Sequence, residues 1–194
     1  MRAYRFHTIL AASAAMLALA APRPAHALDA YADRRGVLVG AAFGGGAGVT
    51  AVKDSPFEDR DDIGLFWLGR IGGGLSKELT LDASISGWSA DTSSSGGDKT
   101  TAHRMMAVAA NAFLTEHLFI RGGLGITSNT LTEQAKGGKE TELSSNALGF
   151  VLGGGIEFFL NADFAGSFTI EAQQNLGGDI KFTGVNGFVG VTYY

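Results

Sequence analysis

Few side chains in this sequence could carry out covalent or metal chemistry. The chain has no cysteine, which excludes a thiol nucleophile and a thiolate metal site. After residue 27 only two histidines remain, His103 and His117, and neither belongs to an HExxH motif or pairs with a second histidine at a helical offset. The sequence therefore predicts a protein with no catalytic residues, no bound metal and no cofactor.

Three glycine triplets, which begin at residues 44, 72 and 153, invite comparison with phosphate-binding loops. None fits the spacing GxxxxGK[ST], and none precedes a predicted helix, whose N-terminal amide groups would bind the phosphate. Within strands, glycine permits tight curvature and the close approach of large neighbouring side chains. We expect this second role.

The segment at residues 53–62 is strongly charged, and three of its five carboxylates, Asp59, Asp61 and Asp62, are candidates for contact with a cation. Carboxylate oxygens suit Ca²⁺ and Mg²⁺, so one hypothesis is a contact with divalent ions and lipopolysaccharide at a cell surface. The segment lacks the spacing and the glycine of an EF-hand loop. The alternative is an ordinary solvated loop.

The first 27 residues have the features of a cleaved signal peptide. Two arginines precede an apolar stretch at 8–21, which is too short to span a bilayer as a helix. Ala25 and Ala27 then provide small residues at the two positions that signal peptidase recognises. We expect cleavage after Ala27, with a site near Ala32 or an uncleaved membrane anchor as alternatives. The remaining chain carries 12 basic and 19 acidic residues, a net charge of −7, which argues against a nucleic-acid partner.

Beyond the leader, apolar residues alternate with small or polar ones at a period of two, the pattern of β-strands. Eight such segments follow one another, and no long segment keeps helical spacing. Tight turns are predicted at 76–78, 115–117 and 161–163, and longer polar loops at 50–62, 90–102 and 130–144. Short turns on one side and long loops on the other are typical of outer-membrane barrels, whose turns face the periplasm. The sequence predicts an all-β fold, a transmembrane eight-stranded antiparallel up-and-down barrel over residues 28–194.

The two faces of these strands distinguish a membrane barrel from a soluble one. One face carries bulky Leu, Ile, Val and Phe, and the other carries mostly Gly, Ala, Ser and Thr. A soluble barrel would instead carry Lys, Glu and Asp on its outer face. Because eight strands enclose little space, we expect the small residues inside and the bulky residues against lipid. Aromatic girdles are expected at the periplasmic rim from Phe158, Phe159, Phe164, Tyr193 and Tyr194, and nearer the loops from Trp67 and Trp88.

Five charged residues fall on the face predicted to line the lumen: Arg70, Asp82, Arg121, Glu157 and Glu171. A charge inside a closed barrel is tolerated only if it is paired. Arg121 lies four residues after one tight turn and Glu157 four residues before the next, so we predict that they meet and form the strongest ion pair of a lumen network. We interpret this network as filling of the barrel, and a role in transport is the less favoured alternative.

At this point the chain resembles the small eight-stranded outer-membrane β-barrel family, of the OmpA-like and OmpX-like kind, within the porin-family proteins. The resemblance lies in LFIRGGLGI at 118–126, in the segment 149–175 and in the closing strand. It implies export to the outer membrane of a Gram-negative bacterium, contact with outer-membrane lipids and lipopolysaccharide, and insertion by the barrel-assembly machinery.

The resemblance also implies an assembly signal in the last strand, with apolar residues at every second position and a terminal aromatic. The residues that fit this pattern are Val185, Val189, Val191 and Tyr193, followed by Tyr194. The pattern therefore ends one residue early, as though a final aromatic were missing after Tyr194.

For function, we favour a structural or surface-interaction role, in envelope stability or in adhesion to an extracellular ligand through the loops, without catalysis. A narrow porin-like channel for small solutes is the alternative. A lipid-modifying enzyme is less favoured, because barrel-embedded lipid A deacylases use a histidine and a serine two residues apart. Neither His103 nor His117 has a serine two positions later.

Overall fold

The computed structural model describes residues 34–53, 60–94, 97–135 and 140–194. The predicted signal peptide and Asp59 lie outside these residues. The described part of the chain forms eight strands: β1 (Gly36–Val52), β2 (Arg60–Gly74), β3 (Leu79–Ser94), β4 (Gly97–Phe113), β5 (Leu118–Ala135), β6 (Glu140–Phe159), β7 (Phe164–Leu176) and β8 (Ile180–Tyr193). Within these residues, no helix is of a length and apolarity that would cross a membrane.

Each strand pairs antiparallel with the next, and β8 pairs with β1 to close the barrel. The closing seam runs from Val39 opposite Tyr193 to Val52 opposite Ile180. Closure provides the backbone N–H and C=O groups along this seam with partners, which a sheet immersed in lipid requires. The predicted fold class, an eight-stranded antiparallel barrel, is confirmed.

The alternation of the sequence appears directly in the exposure of the side chains. Val108 on β4, Leu124 on β5 and Leu152 on β6 are 66%, 69% and 61% exposed on the outer face. The residues that alternate with them along each strand face inward. Apolar residues of this kind surround the whole barrel, an arrangement that is unfavourable in water and favourable in lipid. We call this outer face the lipid-facing belt.

The strands extend further on the loop side than the sequence predicts. Pairing continues to Ser94 opposite Gly97 and to Gln134 opposite Glu140, so most of the predicted loops 90–102 and 130–144 are hairpin strands. These segments are rich in Thr and Ser and polar on both faces, and a search for alternating apolar residues therefore misses them. Threonine is β-branched and favours strands, which explains why they form. The three predicted tight turns lie where the sequence places them.

Large aromatic side chains fill the barrel on the loop side, although the inner face was expected to carry mainly small residues. Trp88 and Phe182 are buried in the lumen. Trp88 is therefore not part of an outer girdle, because it shares the inward face with Asp82. Glycine on neighbouring strands makes the room: a Cβ atom at Gly48 would lie 2.7 Å from the Phe182 ring, and one at Gly64 would lie 2.6 Å from the Trp88 ring.

Candidate functional site: the closed lumen and the protruding wall

Arg121 is the centre of the ion-pair network in the middle of the lumen. Its two Nη atoms donate to both carboxylate oxygens of Asp82, at 2.6 and 3.0 Å, and its Nε donates to Glu171 Oε2 at 3.0 Å. Asn111 and Ser84 accept two further hydrogen bonds, each of 3.1 Å. The bidentate Arg–carboxylate geometry is the strong form of such a pair, and it ties strands β3, β5 and β7 together across the lumen.

The predicted partner of Arg121 is wrong. The β5–β6 register places Arg121 opposite Gly153, four residues away from Glu157. Counting from the turns ignored the stagger that strand tilt imposes on neighbouring strands of a barrel. Glu157 instead accepts a hydrogen bond of 2.8 Å from the Nε of Arg34.

Arg34, which precedes β1, closes the periplasmic end of the lumen. Besides its ion pair with Glu157, it donates to the backbone oxygens of Lys77 and Glu116, at 3.2 and 2.6 Å, and these carbonyls belong to two different turns. Its guanidinium carbon lies 3.6 Å from the centroid of the Phe113 ring, a cation–π contact. Sequence reasoning missed Arg34, because no alternating pattern precedes it.

The other end of the chain meets the same carboxylate. The Tyr194 hydroxyl donates to the two oxygens of Glu157, at 3.1 and 2.9 Å, so the residues before β1 and after β8 share one acceptor. Burial raises the pKa of the Tyr194 phenol, and the Glu157 carboxylate raises it further, so the phenol stays a donor. Arg70 lies 3.9 Å from Glu157 and donates to Thr192 Oγ1 at 2.5 Å.

An aromatic cluster closes the lumen on the loop side. The His103 ring stacks on Phe182 with centroids 4.0 Å apart, and Trp88 packs on the same phenyl ring at 5.2 Å. His103 Nδ1 lies 2.6 Å from the side-chain oxygen of Asn129, while its Nε2 has no hydrogen-bond partner in the described residues. His103 is therefore enclosed in the barrel, away from the outer surface that a lipid substrate would reach.

Between these clusters the described lumen keeps a small cavity, lined among others by Arg70, Arg121 and Phe119. Its volume is about 10 Å³, room for roughly one water molecule. The described lumen is thus closed at three levels, by the Arg34 cluster, by the Arg121 network and by the aromatic cluster.

The two candidate cation-binding carboxylates within the described residues, Asp61 and Asp62, do not converge. Asp61 and Asp62 are consecutive residues of β2, so they point to opposite faces. Asp62 accepts hydrogen bonds from Thr92 and Thr101, at 3.2 and 3.3 Å. No group of three His, Cys, Asp or Glu side chains in the described ranges could hold a metal ion.

The residues of the expected assembly signal lie on the outer face, with the exception of the last. Val185, Val189, Val191 and Tyr193 are all exposed to the surroundings of the barrel. Tyr194 turns inward, is half-buried and packs against the buried ring of Phe159. Neither of these two rings therefore belongs to the outer girdle that the sequence predicts, whereas Phe164 and Tyr193 pack together on the outside.

On the loop side, four strands continue beyond the lipid-facing belt. We call this part the protruding wall: residues 89–94 of β3, 97–104 of β4, 128–135 of β5 and 140–146 of β6. Most of its outward positions are polar, and they include the acidic residues Asp91, Asp98, Glu140 and Glu142 and the cation Arg104. On the inner side Glu133 pairs with Lys99 at 3.1 Å and with Arg60.

A closed barrel with an apolar belt outside and a polar, filled interior defines an integral membrane β-barrel. The chain belongs to the family described as the outer membrane protein beta-barrel domain, which matches residues 11–193. Its location is accordingly the bacterial outer membrane. No sequence of a curated protein matches the chain significantly.

Solved structures are similar in fold. Ail, the attachment invasion locus protein of Yersinia pestis, in complex with the heparin analogue sucrose octasulfate, has a TM-score of 0.61 and 13% identity, with 81% of this chain and 99% of that chain covered. Neisserial surface protein A has a TM-score of 0.53 and 12% identity, covering 81% and 96%. OprG of Pseudomonas aeruginosa has a TM-score of 0.50 and 13% identity, covering 84% and 97%.

Proposed function

We propose that this outer-membrane barrel is a non-conducting surface protein whose protruding wall contacts a molecule outside the cell. The observation that carries the proposal is the length of the paired strands beyond the lipid-facing belt. On β5 the outward residues are apolar up to Ile126 and polar from Ser128 to Gln134. At about 3.4 Å per residue, the strand continues for roughly 27 Å beyond Ile126.

The wall is suited to binding because it is already ordered. Its β4–β5 and β5–β6 ladders are continuous from Phe113 opposite Phe119 to the hairpin tips. A preformed surface loses less conformational entropy on binding than a mobile loop does. This supports a contact surface more than a flexible tether.

The charge of the wall indicates the kind of partner. The outward carboxylates of β4 and β6, Asp98, Glu140 and Glu142, lie on strands that flank the hydroxyl-rich outer face of β5. Ail binds a sulfated heparin analogue in its solved complex, whereas an acidic surface would repel such a polyanion. We therefore propose that the partner presents a basic surface.

The alternative is a narrow channel for small solutes. Its support is the small lumen cavity beside Arg70 and Arg121, the place where a path would have to open. Against it stand the three closures of the described lumen, each held by buried ion pairs or stacked rings. We also propose that the barrel has no catalytic role, because His103 is enclosed by Phe182 and Asn129.

A binding measurement tests the surface role. The purified protein, refolded in zwitterionic nanodiscs, is passed over polylysine and heparin surfaces at increasing salt. We expect salt-sensitive retention on polylysine, none on heparin, and loss of retention in the variant Asp98→Asn/Glu140→Gln/Glu142→Gln. A matched control neutralises three exposed acidic residues of the periplasmic turns: Glu78→Gln, Glu116→Gln and Asp163→Asn.

Retention on heparin, or equal loss of polylysine binding in the control, would contradict the surface proposal. Planar-bilayer recordings test the alternative separately. Reproducible conductance steps, abolished by a blocker of the lumen, would favour the channel; a silent membrane supports the closed barrel.

A further inference from the structure

Arg104 is an exposed cation on the lipid-facing side of β4. Its neighbours along the chain, His103 and Met105, are buried. On the outer face it lies next to the exposed belt residues Met106 and Val108, on their loop side. Among the described residues it has no hydrogen-bond or ion-pair partner. An arginine at the edge of lipid, without an internal counter-charge, is available to bind an anion from its surroundings.

The position of Arg104 along the strand places it at the outer boundary of the bilayer. It lies ten residues from Leu114, an exposed residue that directly follows β4 and marks the periplasmic end of the belt there. With about 3.4 Å per residue and a tilt of about 40°, this corresponds to a height of roughly 26 Å, against roughly 25 Å for the apolar band of such barrels. Ser128 lies ten residues beyond Leu118 and reaches the same height.

The cross-strand neighbours of Arg104 add donors and no competing charge. Ser128 lies opposite it on β5, Gly87 lies opposite it on β3, and Trp67 lies opposite Gly87 on β2. The Trp67 indole covers Gly87: a Cβ atom at Gly87 would lie closest to the indole Nε1. The Trp67 side chain is 44% exposed on the outer face. None of the eight surrounding outward positions carries a carboxylate: Ile85, Gly87, Ser89, Ala102, Met106, Ile126, Ser128 and Thr130.

We propose that Arg104, with Ser128 and the Trp67 indole, binds the phosphate group of a phosphorylated glycolipid in the outer leaflet, the lipid A part of lipopolysaccharide. A guanidinium can donate two parallel hydrogen bonds to a phosphate, and the hydroxyl and indole N–H groups add further donors. Belt residues below Arg104, such as Met106, contact the acyl chains of the same lipid. Arg104 and Ser128 are the residues of the protruding wall next to the lipid-facing belt, and this site does not include Asp98, Glu140 or Glu142, the carboxylates to which the surface role is assigned.

The test measures binding of bis-phosphorylated lipid A to the purified full protein in zwitterionic nanodiscs, by native mass spectrometry over a lipid titration. We expect Arg104→Gln to weaken binding about tenfold and Arg104→Lys to weaken it less, because lysine keeps the charge but loses the bidentate geometry. Heat-modifiable gel migration confirms that each variant is folded, which the exposed position of Arg104 favours.

Lys181→Gln is the matched control, because it removes another exposed cation on the loop side, on β8, outside this group. It should bind lipid A as the unaltered protein does. Unchanged binding by Arg104→Gln, or an equal loss in Lys181→Gln, would overturn the assignment. Equal binding of fully dephosphorylated lipid A would overturn the phosphate contact, and competition by millimolar inorganic phosphate would show a free-anion site instead of a lipid site. All of these outcomes are separate from the polylysine assay.

Discussion

Removal of the Arg121 charge should destabilise the barrel more than any exposed charge change. In Arg121→Met, the carboxylates of Asp82 and Glu171 lose their shared cation while they are 2% and 1% exposed. Breaking a buried pair in this way costs about 3–5 kcal/mol, because the remaining charges are left uncompensated. By contrast, Asp82→Asn leaves Arg121 paired with Glu171 and should cost less.

Arg121, Asp82 and Glu171 should be strongly coupled in stability. The variant Arg121→Met/Asp82→Asn/Glu171→Gln removes all three charges and should recover most of the loss, to within about 1–2 kcal/mol of the unaltered protein. The assay is urea unfolding in lipid vesicles, followed by tryptophan fluorescence and gel migration. Lys99→Met, which removes a half-exposed cation, is the control and should cost less than about 1 kcal/mol. Additive free energies across the Arg121–Asp82 cycle would refute the network.

Three further outcomes are expected. Gly64→Ala should destabilise the barrel by about 1–3 kcal/mol because its Cβ meets the interior tryptophan ring, whereas Gly122→Ala, with open space around its Cβ, should be neutral in the same unfolding assay. Leu124→Arg should cost about 2–4 kcal/mol near the middle of the belt, and Ser128→Arg at its boundary about 0–1 kcal/mol; equal costs would contradict the placement of the belt. Addition of Phe after Tyr194 should improve or preserve assembly efficiency in vivo, and clearly poorer assembly would refute the proposed register of the signal.

The strand count and the direction of each face could be read from the sequence. Residues such as Leu124 and Val108 alternate with small residues, and alternate residues of a strand point to opposite faces. Once the bulky face is assigned to lipid, the small residues must face the lumen. The hairpin strands of the protruding wall could not be found this way, because their Thr and Ser residues are polar on both faces.

The sites inside the barrel were only partly accessible to sequence reasoning. The alternation along each strand was enough to place Arg121 and Glu157 on the inner face. It does not give the height of a residue along the barrel axis. Their partners depend on the stagger between strands, which the register of all eight strands sets together. Arg34 carried no periodic signal at all, although it joins two turns and the Glu157 carboxylate.

The sequence by itself therefore determined eight strands with one lipid-facing and one inward face each, because alternation is a local property that each strand shows independently. Only the tertiary structure decided which charges meet, because a tilted, closed sheet brings together residues such as Arg121 and Asp82 from strands that are not neighbours. It also decided that Trp88 fills the lumen, in space left by Gly64 on the adjacent strand. Contacts across the lumen depend on closure, and closure is a property of all eight strands together.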